Sequence, residues 1–173
     1  MVTKESLLRH MPHPEVRPEQ RALLDAIAKD QYTLLEGPTG VGKTAVGIAA
    51  LRAKRAAGGL SLFYTTPTKA QVLQVLEKYP ENAVAIFGRG EYPCLYYEDR
   101  GIKDVSARES PCFLLKCPHR VDQSTGTVED PSATPCPYLK AKYDAIQATQ
   151  NGNIVIATHA FFLMNRLLVG AWR

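Results

Sequence analysis

The segment GPTGVGKT, at residues 37–44, has the residue types and the spacing of a phosphate-binding loop. It matches the pattern G-x-x-x-x-G-K-[ST] and stands between an apolar run typical of a strand and a run typical of a helix. In such loops the backbone N–H groups face an anion, the lysine reaches the β and γ phosphates, and the hydroxyl binds Mg²⁺. We therefore predict a site for ATP with Mg²⁺, formed by Gly37, Thr39, Gly40, Gly42, Lys43 and Thr44.

Hydrolysis of a bound nucleotide also requires a carboxylate at the metal and a group that orients water. In this kind of fold an acidic pair at the end of a later strand usually supplies them. The sequence has no Asp-Glu pair, and its Glu-Asp pairs at residues 98–99 and 129–130 lie in a cysteine-rich segment. We therefore predict no catalytic residue in this chain.

Four cysteines form a second set of residues that could do chemistry. Their spacing is C-x17-C-x4-C-x18-C, and four thiolates complete either a tetrahedral zinc site or an iron-sulfur cluster. The spacing leaves the metal open, and His119 also leaves open a mixed Cys/His zinc site. Unligated structural thiols are a further alternative. The candidate ligands are Cys94, Cys112, Cys117 and Cys136.

The composition limits the classes of protein to consider. The chain has 173 residues, of which 45% are hydrophobic and 22% charged, as in a folded globular protein. It contains no signal-like segment and no long apolar run, so we expect a cytoplasmic protein without a membrane segment. In that reducing setting cysteines are more often metal ligands than disulfide partners. The net charge of +4 is too small to indicate nucleic-acid binding by itself.

Apolar patterns along the chain predict strands that alternate with helices. This alternation favours an α/β fold with a parallel sheet covered by helices on both faces. Helices are predicted at residues 17–30, 43–57, 69–79, 138–150 and 160–168, and strands at residues 32–37, 60–66, 83–88 and 153–159.

The alternation stops after Gly88 and resumes near residue 138. The segment between holds all four cysteines and many prolines with little periodicity, which indicates an insertion. We therefore predict a P-loop domain in two pieces, residues 1–88 and 138–173, with a cysteine-rich domain inserted at residues 89–137.

Taken in order, the motifs resemble the iron-sulfur helicases of superfamily two, the XPD/DinG group, and in particular its DinG-like bacterial members. The matching segments are RPEQ, GPTGVGKT, YTTPTKAQVLQ, GRGEYPC, CPYLKAKYDAI and IVIATHAFFL, which cover about residues 14–168. The resemblance implies that the sheet is a RecA-like first motor domain and that the insertion is an iron-sulfur cluster domain.

The resemblance also implies roles for three residues outside the loop and the cysteines. Gln20 would belong to an adenine-reading motif, where an amide can pair with both a donor and an acceptor on the base. Thr66 and Thr68 fall where members of the family contact the DNA backbone. From the sequence alone, Gln20 is better interpreted as an ordinary exposed helix glutamine, and Thr68 as a helix N-cap.

By the same resemblance the four cysteines would ligate a [4Fe-4S] cluster, in a small domain that helps to split a duplex while one strand passes. Arg89 and Tyr92 match the family pattern GR-x-x-Y-x-C and are candidate DNA contacts, by charge and by base stacking. Packing around the cluster is an equal alternative for both residues. The implied partner is single-stranded DNA or forked duplex DNA.

In the XPD/DinG group a D-E-A-H box and a second motor domain follow the IVIATH-like segment, and the sequence stops before both. We therefore expect the N-terminal ATP-binding and [4Fe-4S] portion of an ATP-dependent DNA helicase, 5′ to 3′ by the resemblance, that cannot unwind DNA alone. Its exposed sheet edge would be covered by the missing motor half or by another chain. The alternative is a non-hydrolysing module that binds nucleic acid or protein through a P-loop and a four-cysteine zinc site.

Overall fold

The structure is a computed structural model that describes residues 2–30, 32–110, 112 and 116–165. The helices are α1 (Lys4–Arg9), α2 (Pro18–Lys29), α3 (Lys43–Ala56), α4 (Lys69–Lys78), α5 (Leu95–Glu98), α6 (Pro137–Gln150) and α7 (His159–Met164). The strands are β1 (Leu62–Thr66), β2 (Ala83–Ile86) and β3 (Ile154–Thr158).

The three strands form one parallel sheet in the order β1-β3-β2. β3 is the last strand in the chain and the central one in the sheet, where Ile154 lies opposite Leu62 of β1 and Ala83 of β2. Because β3 is paired along both edges, Ile154 and the three residues after it are at most 1% exposed. The prediction of an α/β fold with a parallel sheet is confirmed.

Helices cover both faces of this sheet, as the alternation of patterns predicts. On one face Ile156 packs with Ile48 of α3 and Val72 of α4. On the other face Val155 packs with Ala145 of α6. The side chains of neighbouring residues in β3 therefore lie on opposite faces of the sheet, as the two-residue period of a strand requires.

A third apolar cluster joins α1 and α2 to the outer side of α3. Leu7 of α1 and Leu24 of α2 are fully buried there against Val46 and Ala49 of α3. α1 was not predicted from the sequence, although Thr3 is a typical N-cap. The hydroxyl of Thr3 accepts a hydrogen bond from Ser6 N at 3.2 Å. This cluster fixes α2, and with it Gln20, beside the P-loop.

The predicted helices agree with α2, α3, α4, α6 and α7, and three of the four predicted strands agree with β1, β2 and β3. Residues 166–168 of the last predicted helix lie outside the described residues. The strand predicted at residues 32–37 is wrong, because these residues lie outside the sheet. Tyr32 is 88% exposed and Leu34 is 100% exposed. A strand needs a hydrogen-bonded neighbour, and the described strands provide none for this apolar run.

The described part of residues 89–137 contains little regular structure. A short 3₁₀ turn (Arg89–Glu91) and the single-turn helix α5 begin it, and α6 starts as it ends. Two isolated bridges tie it together, Pro93 with Ser106 and Val121 with Val128. None of the described helices has the length and apolar character needed to cross a bilayer.

Candidate functional site

The P-loop turns into α3 through two glycines in left-handed backbone conformations. Gly40 has φ 86° and Gly42 has φ 89°, values that other residues adopt only with strain. Lys43 is the first residue of α3, a helix of 14 residues. The loop therefore lies at the positive end of a helix, the geometry that binds anions.

The side chain of Lys43 folds back over the same loop. Its Nζ donates hydrogen bonds to the carbonyl oxygens of Gly37 at 2.6 Å and Pro38 at 3.0 Å. Thr44 follows in the first turn of α3 and is half-buried, while Thr39 is exposed at the tip of the loop. The structure thus brings the six loop residues singled out from the sequence together at the amino end of α3.

Gln20 is only 5% exposed, so its interpretation as an ordinary exposed helix glutamine is wrong. Its Oε1 accepts a hydrogen bond from Arg17 N at 3.0 Å. Its Nε2 lies so close to Gly42 that a Cβ there would be 2.3 Å away. Arg17 also donates from Nη1 to the carbonyl of Gly40 at 3.3 Å. The start of α2 therefore rests on the P-loop, through contacts that sequence spacing does not reveal.

Thr66, the last residue of β1, and Thr68 form hydrogen bonds where the chain enters α4. Thr68 is the N-cap of α4, and its hydroxyl accepts a hydrogen bond from Gln71 N at 3.3 Å, so the N-cap prediction is confirmed. Thr66 is 6% exposed, and its hydroxyl donates to the carbonyl of Thr68 at 3.0 Å. Their contact with DNA stays a prediction.

Arg89 and Tyr92 make internal contacts where the cysteine-rich segment leaves the sheet. The Tyr92 hydroxyl accepts a hydrogen bond from Phe87 N at 3.1 Å, and Arg89 Nη2 donates to the carbonyl of Ala107 at 2.8 Å. The Arg89 guanidinium and the Tyr92 ring both lie beside the Tyr138 ring, at 5.6 Å and 5.7 Å from its centroid. Burial raises the pKa of both tyrosines. These contacts join the two ends of the segment.

The four cysteines are free thiols, three of them buried. Cys94, Cys117 and Cys136 are 5 to 7% exposed, and Cys112 is half-buried. Burial raises the pKa of the Cys117 thiol, an N–H of His119 lowers it, and the thiols of the other three cysteines raise it further.

Three of these cysteines line one cavity of about 570 Å³. Its walls also carry three cations, Arg89, Arg120 and Lys142, and two carboxylates, Asp122 and Glu129. Nearby cations stabilise thiolates. Within the described part of the chain, no three His, Cys, Asp or Glu side chains are grouped so as to hold a single metal ion. A four-iron cluster takes one thiolate per iron around a larger volume, and the three thiols at this cavity are three of the four that such a cluster needs.

His119 is buried at 5% exposure beside these thiols. Its Nδ1 is 2.8 Å from the carbonyl oxygen of Thr134, and its Nε2 is 2.8 Å from Oδ2 of Asp99. Each of the two ring nitrogens thus has an oxygen acceptor within hydrogen-bond distance. The ring nitrogens are therefore turned to these oxygens, and the arrangement does not offer His119 as a metal ligand.

The family model of the DEAD/DEAH box helicases matches residues 17–129, which is more than half of the chain. The matched part includes Gln20, the P-loop and three of the four cysteines. No curated protein and no solved structure matches the chain.

Proposed function

Because the chain belongs to the DEAD/DEAH box helicase family, we propose that it binds ATP with Mg²⁺ at the P-loop and works on nucleic acid as part of an ATP-dependent helicase. Helicases of this family bind ATP with Mg²⁺ and engage nucleic acid. The observation that carries the proposal is the geometry of the P-loop at the start of α3. Gly40 and Gly42 have left-handed backbone conformations, Lys43 folds over the loop, and Gln20 lies against Gly42.

Each residue of the nucleotide site has a distinct task. The amides around Gly40 and Gly42 donate to phosphate oxygens, since their backbone conformations turn successive N–H groups toward one point. Lys43 exchanges its contacts with loop carbonyls for the β and γ phosphates. Thr44 would hold Mg²⁺ through its hydroxyl, and the ion would neutralise phosphate charge. Gln20 reads the adenine edge by the resemblance, and its contact with Gly42 braces the loop.

More specifically, we place the chain in the XPD/DinG group of DNA helicases, on the order of its motifs. Residues 1–88 and 138–173 belong to the first motor domain, and residues 89–137 form an inserted cluster domain. A [4Fe-4S] cluster would be held by Cys94, Cys112, Cys117 and Cys136. When bound it would cross-link the four chain segments that carry these thiols. Two observations support this assignment: the burial of Cys94, Cys117 and Cys136, and the cavity shared by Cys112, Cys117 and Cys136.

The nucleic-acid partner is single-stranded or forked duplex DNA, and unwinding runs 5′ to 3′, both by the resemblance. Thr66, Thr68, Arg89 and Tyr92 are the candidate contacts. The exposed apolar residues Tyr32 and Leu34 mark a surface that the second half of a motor, or another chain, would cover.

The nucleotide site can be tested by titrating the chain with a fluorescent ATP analogue and Mg²⁺. Lys43→Ala should weaken binding at least about tenfold, since it removes the charged donor to two phosphates. Lys54→Ala is the matched control, because Lys54 lies near the other end of α3 and should leave affinity unchanged. Equal affinities for wild type and Lys43→Ala would contradict the proposal.

The cluster assignment has a separate test, which is the iron, acid-labile sulfide and zinc content of the chain purified without oxygen. About four irons and four sulfides per chain, with a visible absorption band, are expected. One zinc without sulfide would instead favour a zinc-bearing binding module. Neither result depends on the nucleotide titration, so the two halves of the proposal can fail independently.

A further inference from the structure

We propose that His119 is a positioning residue that holds the chain segments of Cys94 and Cys136 beside Cys117, so that the four-thiol site is formed before anything binds to it. The inference rests on the proposed function only in treating the four thiols as one site. It is drawn from the contacts of one buried side chain and of its own backbone.

The imidazole of His119 joins two distant parts of the cysteine-rich segment. Its Nδ1 lies 2.8 Å from the carbonyl oxygen of Thr134, two residues before Cys136. Its Nε2 lies 2.8 Å from Oδ2 of the Asp99 carboxylate. Asp99 is the C-cap of α5, and Cys94 is the N-cap of the same single-turn helix. One side chain therefore connects α5, which begins at Cys94, to the loop that leads into Cys136.

The backbone of His119 completes the connection. Its carbonyl accepts a hydrogen bond from Cys136 N at 2.8 Å, and its N–H lowers the pKa of the Cys117 thiol. Three contacts of His119 thus reach Cys136, the chain just before Cys136, and Cys94 through Asp99 and α5, while Cys117 lies two residues away in the sequence. Cys112 is outside this set, and it is also the one cysteine that is not fully buried.

The need for such a residue follows from the lack of regular structure around it. Loops lose conformational entropy on ordering, and few helix or strand hydrogen bonds compensate for that loss here. A buried side chain with two hydrogen bonds across the loops supplies the missing restraint, and leaving the buried imidazole without partners would be costly.

The test measures how fast each cysteine is alkylated by iodoacetamide in the reduced, metal-free full chain, read by mass spectrometry. In wild type, Cys112 should react fastest. His119→Ala should speed alkylation of Cys94 and Cys136 about tenfold, with a smaller change at Cys117, because the backbone contacts of His119 remain. His159→Ala, which removes an exposed histidine of α7, is the matched control and should change nothing.

Two conservative variants keep the test decisive if His119→Ala folds poorly. Asp99→Asn should expose Cys94 but leave Cys136 protected, and His119→Gln, which retains an amide donor, should restore part of the protection at Cys136. Unchanged protection of Cys94 and Cys136 in His119→Ala would overturn the proposal. Equal exposure of all four thiols with loss of ATP-analogue binding would also overturn it, since His119 would then support the whole fold.

The alkylation rates test the role of His119, whereas the iron and sulfide contents test the cluster assignment. A wild-type chain without iron and sulfide would remove the cluster assignment and leave the alkylation pattern as predicted. If the wild-type chain holds iron and sulfide but His119→Ala does not change the alkylation of the metal-free chain, the cluster assignment stands and the role of His119 is contradicted.

Discussion

The side-chain nitrogen of Gln20 occupies the space that a β-carbon on Gly42 would need, since such an atom would lie 2.3 Å from Nε2. Gly42 is the residue at which the P-loop becomes α3, and Gln20 is fixed by the start of α2. The shape of the loop therefore depends on a helix that precedes it in the chain. A substitution at Gln20 should therefore alter the conformation of the loop at Gly42, and a substitution at Gly42 should displace the side chain of Gln20.

Gly42→Ala should weaken binding of the ATP analogue by about tenfold or more, because it adds a clash with Gln20 to the strain of a positive φ. Gly40→Ala is the matched control. It shares the positive φ but meets no atom within 4 Å, so its effect should be smaller. Equal losses in the two variants would show that the contact with Gln20 is unimportant.

The same contact predicts non-additive effects in a double variant. Gln20→Ala removes the side chain with which the alanine at position 42 would collide. The loss of affinity in Gln20→Ala/Gly42→Ala should therefore be smaller than the sum of the two single losses, expressed as free energies. Fully additive losses in the same titration would contradict a direct contact.

Thr68 has a structural role and a proposed DNA role, and two substitutions separate them. Thr68→Ala should lower the free energy of unfolding by about 1 kcal/mol, because the cap of α4 is lost. Thr68→Asp keeps a capping oxygen but adds a negative charge, so it should preserve stability and weaken binding of single-stranded DNA. Thr3→Asp, at the N-cap of α1, should change neither. Chemical denaturation and DNA titration measure the two effects, and undiminished DNA binding by Thr68→Asp would remove Thr68 from the DNA contacts.

The sequence predicted most of the regular elements because their signals are local. The repeat of apolar residues in α2 and α4, with Pro18 and Thr68 at their starts, needs no knowledge of the rest of the chain. The continuous apolar run of β3 is typical of a buried parallel strand. The P-loop is also local, so its position at the start of α3 could be predicted.

What the sequence did not predict depends on contacts between distant residues. Residues 32–37 have the composition of a strand, but a strand forms only where a neighbour supplies hydrogen bonds. Gln20 has the local features of an exposed glutamine, and its burial results from the fold around the P-loop. The contacts of His119 with Asp99 and Thr134 likewise join loops whose course no periodicity describes.

The central strand should be the most sensitive part of the fold. Ile156 is fully buried, in the strand that both other strands contact. Ile156→Ala should lower the free energy of unfolding by about 2 to 5 kcal/mol, through lost burial and a residual cavity. Leu73→Ala is the control, since Leu73 is 48% exposed and should lose much less. Denaturant titration compares them, and similar losses would contradict the assignment of the core.

The turn at residues 122–127 gives a prediction about pH. The Asp122 carboxylate accepts hydrogen bonds from the hydroxyl and the N–H of Ser124 and from the N–H of Thr125, and these bonds lower its pKa. Asp130 has a lowered pKa for a similar reason, through Ser132. Ser124→Ala removes the first-named donor, so the pKa of Asp122 should rise toward its ordinary value while that of Asp130 stays lowered. Carbon NMR of the two carboxyl groups measures both values in one sample.

The sign of the linked stability effect follows from the direction of the shift. Since the pKa of Asp122 is lower in the folded chain than in the unfolded chain, its ionised form contributes stability above the unfolded pKa. That contribution is lost as the pH falls through the folded value. The stability difference between wild type and Ser124→Ala should therefore be present near neutral pH and shrink as the carboxyl group becomes protonated. A difference that persists unchanged in acid would mean that Ser124 stabilises the turn by some contact other than the carboxylate of Asp122.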